Sequence, residues 1–210
     1  MTRGLLSIAC ALLAIGGLAG CGASGGNQVD VKEQVRLREV LNRDPRLPDG
    51  FSARAQEAWR VPFKAGDRNC RAVLNPAGGD APQRALTAQA AASYPGRGLS
   101  EVAGVGLAHY EGAEAEWHIG DLEKAADACQ LVDVGGGTEL AFHQVPVHDL
   151  GDEAVAGQLL GRLNGYPYTL NVFVVREGDM LVSLVHSGMS RIDPKRTEQL
   201  ARSVVAMTRA

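Results

Sequence analysis

The stretch Leu170-Asn171-Val172-Phe173-Val174-Val175 constrains the fold of this chain more than any other segment. Successive residues of a strand point to opposite faces of a sheet. Here Leu170, Val172 and Val174 alternate with Asn171, Phe173 and Val175, so both faces of one strand are largely apolar. Such a strand belongs at the centre of a sheet. Around it the sequence reads as a meander, with strands near Thr138 to Val147, Ala154 to Leu163, Thr169 to Arg176 and Met180 to Ser187. Asn164-Gly165-Tyr166-Pro167 and Glu177-Gly178-Asp179 supply its turns.

Upstream, Arg84 to Ser93 and Leu99 to Tyr110 read as a hairpin with Tyr94-Pro95-Gly96-Arg97-Gly98 as its long loop. Helices lie before and between the strands. Asp30 caps the first, which runs to Asn42 with Leu37, Val40 and Leu41 on one face and ends at Asp44-Pro45. After a turn at Leu47-Pro48-Asp49-Gly50-Phe51, Ser52 to Val61 reads as extended. Asp67 caps a short helix carrying Cys70, Val73 and Leu74, which Asn75-Pro76 and Gly78-Gly79 stop. Over Glu111 to Gln130, Ala115, Ile119, Leu122, Ala126 and Cys129 share one face of a helix that Gly120 weakens by about 1 kcal/mol. Gly135-Gly136-Gly137 follows as a loop, without the strand before it and helix after it that a phosphate cradle needs. The last helix opens at Asp193-Pro194 and buries Leu200, Ala201, Val204 and Met207, with Val204 expected to face Val172 across one interface. These elements describe an α+β fold, a single domain over residues 30–210 whose mainly antiparallel sheet is covered by helices.

The N-terminus specifies location. Arg3 precedes an apolar run from Leu5 to Leu18 that is short for a membrane span. It ends in Leu18-Ala19-Gly20-Cys21, which resembles the lipobox of bacterial lipoproteins. That resemblance implies a signal peptide over residues 1–20, removed in the mature protein, and a diacylated Cys21, palmitate being a typical acyl group. Residues 21–29 hold little that could be buried and read as a flexible tether. Cys10 leaves with the signal and Cys21 takes the lipid, so Cys70 and Cys129 remain, and outside the cytoplasm a disulfide between them is expected. Removing Arg3 leaves 20 Lys+Arg against 24 Asp+Glu, a balance that argues against a nucleic-acid partner. Membrane attachment then rests on the lipid, and the mature chain is expected to be a monomer on the outer face of the cell membrane.

Taken in order, the mature region resembles the extracellular sensor domain of the PknH-type serine/threonine kinases and related lipoproteins of actinobacteria. Leu47-Pro48-Asp49-Gly50-Phe51, Cys70, Cys129 and Leu150-Gly151-Asp152-Glu153-Ala154 carry the resemblance. Val174-Val175-Arg176-Glu177-Gly178-Asp179 and the C-terminal amphipathic helix complete it. It implies an extracellular domain that takes an unidentified ligand in a cleft, and it supplies no catalytic residues to carry over. The kinase ectodomains carry two disulfides, whereas this chain can form one.

No Gly-x-Ser-x-Gly elbow is present, and Ser183, His186 and Ser187 lie too close along one strand to build a triad. His186 shares a strand face with Met180, Val182 and Leu184 and reads as a partly buried strand-end histidine. His143, His148, Asp149, Asp152 and Glu153 form the densest set of potential metal ligands, with His143, His148 and Asp152 as the alternative metal site. The two histidines are an odd number apart with Pro146 between them, which sets them on opposite sides of a regular strand. Asp152 and Glu153, as neighbours in extended chain, point apart and read as the turn that starts a strand. Neither a resident metal nor a cofactor is expected. Among the aromatics, Trp59 and Trp117 are the larger, and Trp117 reads as core. Tyr166 and Tyr168, flanking Pro167 in a turn, are the candidates for ligand contact. The favoured function is a lipid-anchored binding or sensing module without catalysis, its partner a small molecule or an envelope component. The alternatives are an envelope hydrolase, metal-dependent through the His143 to Glu153 region, and a structural lipoprotein that contacts another envelope protein.

Overall fold

The computed structural model describes residues 29–43, 47–135 and 138–209. The elements follow the order α1 (Val31–Asn42), α2 (Arg68–Leu74), β1 (Leu86–Pro95), β2 (Val102–Tyr110), α3 (Glu114–Ala128) and β3 (Leu131–Gly135). Then come β4 (Thr138–Gln144), β5 (Glu153–Leu163), β6 (Tyr166–Glu177), β7 (Met180–Gly188) and α4 (Pro194–Thr208). All seven strands form one antiparallel sheet in the order β1-β2-β7-β6-β5-β4-β3. β6, with apolar residues on both faces, is the middle strand, as its alternation predicts. The described residues form one α+β domain.

Helices cover both faces of the sheet. On one side, α2, α3 and a 3-10 turn at Asn75–Gly78 pack with Leu170, Val172 and Val174. On the other, α1 and α4 pack with Phe173, Val175, Val182 and Leu184. Each capping aspartate takes its expected place: Asp30 accepts from the Glu33 N–H, Asp67 from Asn69 and Cys70, and Asp193 from Lys195. Gly106 lets the 3-10 turn lie directly on β2, since a Cβ there would stand 1.9 Å from the Pro76 carbonyl oxygen. Cys70, in α2, and Cys129, which caps α3, are both buried and joined in a disulfide with Cα atoms 4.9 Å apart.

Several elements depart from the sequence reading, each for a local reason. Ser52 to Val61 forms no strand and keeps a single bridge, Gln56 to Ser93, because Ala53, Ala55 and Ala58 offer little side chain to pack. A short strand, β3, follows α3 and takes in Gly135, the first of the three glycines read as a loop, with Val132 buried while Leu131 and Asp133 are exposed. Gly136 and Gly137 lie outside the described residues, as do Asp44 and Pro45. The β5–β6 turn is tighter than expected. Asn164 (φ 52°) and Gly165 (φ 83°) make it alone, and Tyr166 and Pro167 pair within the ladder. In α4, Val205 is buried in place of Met207. Val172 and Val204 do not meet: strand parity points Val172 toward α2 and α3, while Val204 packs on the opposite face.

The disulfide closes a separation of 59 residues, which restricts the unfolded chain by about 4 kcal/mol. The double variant Cys70→Ala/Cys129→Ala is expected to lose roughly 2–4 kcal/mol in urea denaturation. A loss below about 1 kcal/mol would mean that the two helices hold each other without the bond.

Candidate ligand-binding cleft

A cleft of about 300 Å³ opens on the α4 side of the sheet, between the β4–β5 connection, the faces of β5 and β6, and the first turns of α4. Val145, Pro146, Val147 and Phe173 give it an apolar wall, Gln158 and Lys195 bring polar groups to it, and the buried Asn171 and Thr197 lie at its floor. Arg202 fixes the outer rim: it donates to the carbonyls of Asp149 (2.8 Å) and His148 (3.1 Å) and pairs with Glu198 (2.8 Å). Volume and lining suit a small ligand with an apolar body and a hydrogen-bonding head.

From the cleft a chain of hydrogen bonds runs into the core. Gln158 Nε2 donates to Asn171 Oδ1 (2.7 Å), and Asn171 Nδ2 donates to Thr197 Oγ1 (2.8 Å). Thr197 Oγ1 lies 2.9 Å from His186 Nδ1, and His186 Nε2 lies 3.0 Å from the Glu101 carboxylate. Beyond Glu101 are the Gly98 N–H at 2.7 Å and the Arg196 guanidinium at 3.4 Å. Asn171, His186 and Thr197 are buried, and the Glu101 side chain is 12 % exposed. A carboxylate can only accept, so neutral His186 must carry its proton on Nε2, leaving Nδ1 to accept from the Thr197 hydroxyl. Every donor then points the same way, from Gln158 to Glu101. Phe51 packs edge-on against the His186 ring at 5.2 Å, and Arg196 lies over the Phe51 ring at 4.8 Å.

Charge agrees with this arrangement. Burial disfavours the imidazolium of His186 more than the Glu101 carboxylate favours it, and Arg196 adds to the effect, so the histidine pKa falls below its ordinary value. Burial pushes the Glu101 carboxyl up. The Gly98 N–H, His186 and Arg196 outweigh that push and hold it below the usual carboxylate range. Thr197, His186 and Glu101 are ordered like a nucleophile, base and orienting acid, but Thr197 is 1 % exposed and its oxygen already accepts from Asn171. That oxygen is a structural link with no approach for a substrate.

The residues singled out from the sequence scatter. Cys21 lies outside the described residues. His186 is completely buried, not partly, and is held from both ring nitrogens. Ser183 and Ser187 share strand parity with Val185 and turn toward α2 and α3, away from His186. His143 is exposed on β4, and the His148 carbonyl serves Arg202. Asp152 and Glu153 bind Arg176 at 3.1 and 3.3 Å, and Asp152 also accepts from the Gly178 N–H. Among the described residues no group of three or more His, Cys, Asp and Glu converges as metal ligands. Trp59 is buried, whereas Trp117, expected in the core, is 67 % exposed on α3. Tyr166 is exposed at 59 %, but Tyr168 is buried against Phe63, because the tight turn returns it to the ladder on the α2–α3 face. Glu101, Asn171 and Thr197 escaped sequence reasoning. Of these only Asn171 left a signal, as the one amide in an apolar central strand.

Among the described residues no helix is long and apolar enough to cross a membrane. No protein-family model matches the chain, and neither does any curated protein. Its fold is that of the extracellular domain of PknH from Mycobacterium tuberculosis, with a TM-score of 0.56 over 88 % of this chain and 100 % of that domain at 11 % identity. A looser likeness, TM-score 0.44 at 13 % identity over 87 % of this chain and 98 % of the other, is to a putative uncharacterized protein of Mycobacterium smegmatis, the Rv0999 ortholog.

His186 is expected to remain neutral at pH 6.5, where an unperturbed histidine is half protonated. Because its folded pKa is depressed, its contribution to stability is present above that pH and is lost as the pH falls through the folded value. The depressed Glu101 carboxyl behaves alike at lower pH, its contribution being lost below the carboxylate range. An imidazole NMR titration reads this directly, and half-protonation of His186 at or above pH 6.5 contradicts it.

Proposed function

We propose that this chain is a lipid-anchored module on the extracytoplasmic face of the cell membrane that binds a small ligand in the α4 cleft and carries out no catalysis. The observation that carries the reading is the one-way hydrogen-bond chain that starts at the cleft floor and ends on Glu101. It puts conformationally locked polar groups beneath an apolar-walled cavity, as in a binding site, and its only hydroxyl in a triad-like position is sealed from substrate. The PknH fold, with its extracellular setting, supports the same reading. A ligand seated on Gln158 and the first turn of α4 would bear on the relay, on Phe51 and hence on the N-terminal segment that leads back to the membrane. The lipobox supports anchoring through Cys21.

The test uses the protein recovered from the membrane of the cell that makes it. Intact mass should show the loss of residues 1–20 and a diacyl group on Cys21, and Cys21→Ala should retain the signal. Mild extraction should release a small molecule from the wild type and little from Val145→Trp, in which an indole fills the exposed mouth of the cleft. An unlipidated wild type processed elsewhere contradicts the anchoring, and equal ligand content in the two proteins contradicts the cleft.

A further inference from the structure

β1 is an edge strand, and every second residue turns its N–H and C=O away from β2. The chain itself covers most of these groups. The Thr87 carbonyl accepts from the Asp30 N–H (2.9 Å), Ser93 exchanges both hydrogen bonds with Gln56 (2.8 and 3.3 Å), and the Pro95 carbonyl accepts from Ser52 (2.8 Å). Gln89 is covered by a side chain acting as a strand: its N–H donates to Gln34 Oε1 (3.1 Å) and its carbonyl accepts from Gln34 Nε2. Ala91 has the same alternation, between Gln89 and Ser93, and among the described residues its outward N–H and C=O have no partner. They face an open cavity of about 570 Å³ lined by Gln34, Arg38, Gln56, Glu57 and Gly79.

We propose that this gap is a second binding site, which accepts one residue of a short extended peptide as an antiparallel addition to β1. A peptide residue brings an acceptor for the Ala91 N–H and a donor for the Ala91 carbonyl, whereas a lone carboxylate answers only the first. The gap is one residue long because Gln34 and Gln56 close the edge on either side. Arg38 follows Gln34 by one helical turn, a rise of roughly 6 Å, and lines the same cavity. Running antiparallel to β1, the peptide directs its carboxyl end toward Gln34 and Arg38 and its amino end toward Gln56 and Glu57. The two charged side chains match those termini. This site is separate from the α4 cleft and does not depend on the function proposed for it.

Trialanine is the probe, titrated into the isotope-labelled full chain while amide signals are followed. The Ala91 amide should move downfield and saturate, with the Asn171 side-chain amide in the cleft unmoved. Arg38→Gln should weaken the affinity about tenfold through loss of a charge-assisted contact. Ala91→Pro removes only the outward donor of an edge strand, where proline is tolerated, and should abolish saturation at the flanking Ala90 and Ala92 amides. Absence of a saturating shift with trialanine overturns the proposal. Acetate reproducing the Ala91 shift at equal concentration also overturns it, since that marks an anion contact only. Should Ala91→Pro fail to fold, Arg38→Gln decides, and an unchanged affinity overturns the proposal.

Discussion

The buried contact of His186 with Thr197 and Glu101 is the interaction on which the rest of this structure depends. Polar groups removed from water are costly unless each finds a partner, and the three buried side chains here are satisfied by one another, by Gln158 at one end and by Glu101 at the other. The geometry therefore tolerates few alternatives. It sets how the first turn of α4 lies on β6 and β7, draws the β1–β2 loop inward through Glu101, and offers Phe51 a flat ring to pack on. The cleft is the space left once α4 has been placed.

The two faces of the sheet are held by different means. On one, a disulfide ties α2 to α3 above an apolar layer, so that side is fixed covalently. On the other, α1 and α4 have no covalent tie. Leu200, Ala201, Val204 and Val205 bury the apolar stripe of α4, and directional hydrogen bonds settle its register. The short stretches that carry the resemblance to PknH-type domains contribute to the same frame. Gly151 (φ 67°) lies against Val175 and Arg176, Asp152 binds Arg176 and the Gly178 N–H, and Phe51 meets His186.

Much of this frame was legible in the sequence because it depends on local rules. Aspartate caps, the alternation that centres β6, the face of α3 that carries Cys129, and the pairing of Cys70 with Cys129 all follow from spacing of a few residues or from counting cysteines. What was not legible depends on long-range placement. Strand parity separates Val172 from Phe173 but does not say which helix covers which face, so spacing alone cannot tell that α2 and α3, not α4, lie over Val172. Trp117 read as core from its size, although its position on α3 turns it to solvent. The hydrogen-bond chain stayed hidden because Glu101, Asn171, His186 and Thr197 come from four different elements or loops, and nothing in the local pattern around Glu101 or Thr197 points to the other members.

If these groups form one connected unit, a double-mutant cycle on Asn171 and Glu101 will show it. The two side chains do not touch, being joined only through Thr197 and His186. Asn171→Leu and Glu101→Gln should each destabilise the protein, and together they should cost less than their sum by about 1 kcal/mol or more, because cutting a relay at one end leaves less to lose at the other. Additivity within about 0.5 kcal/mol, measured by urea denaturation at neutral pH, would mean that the two ends of the relay are independent.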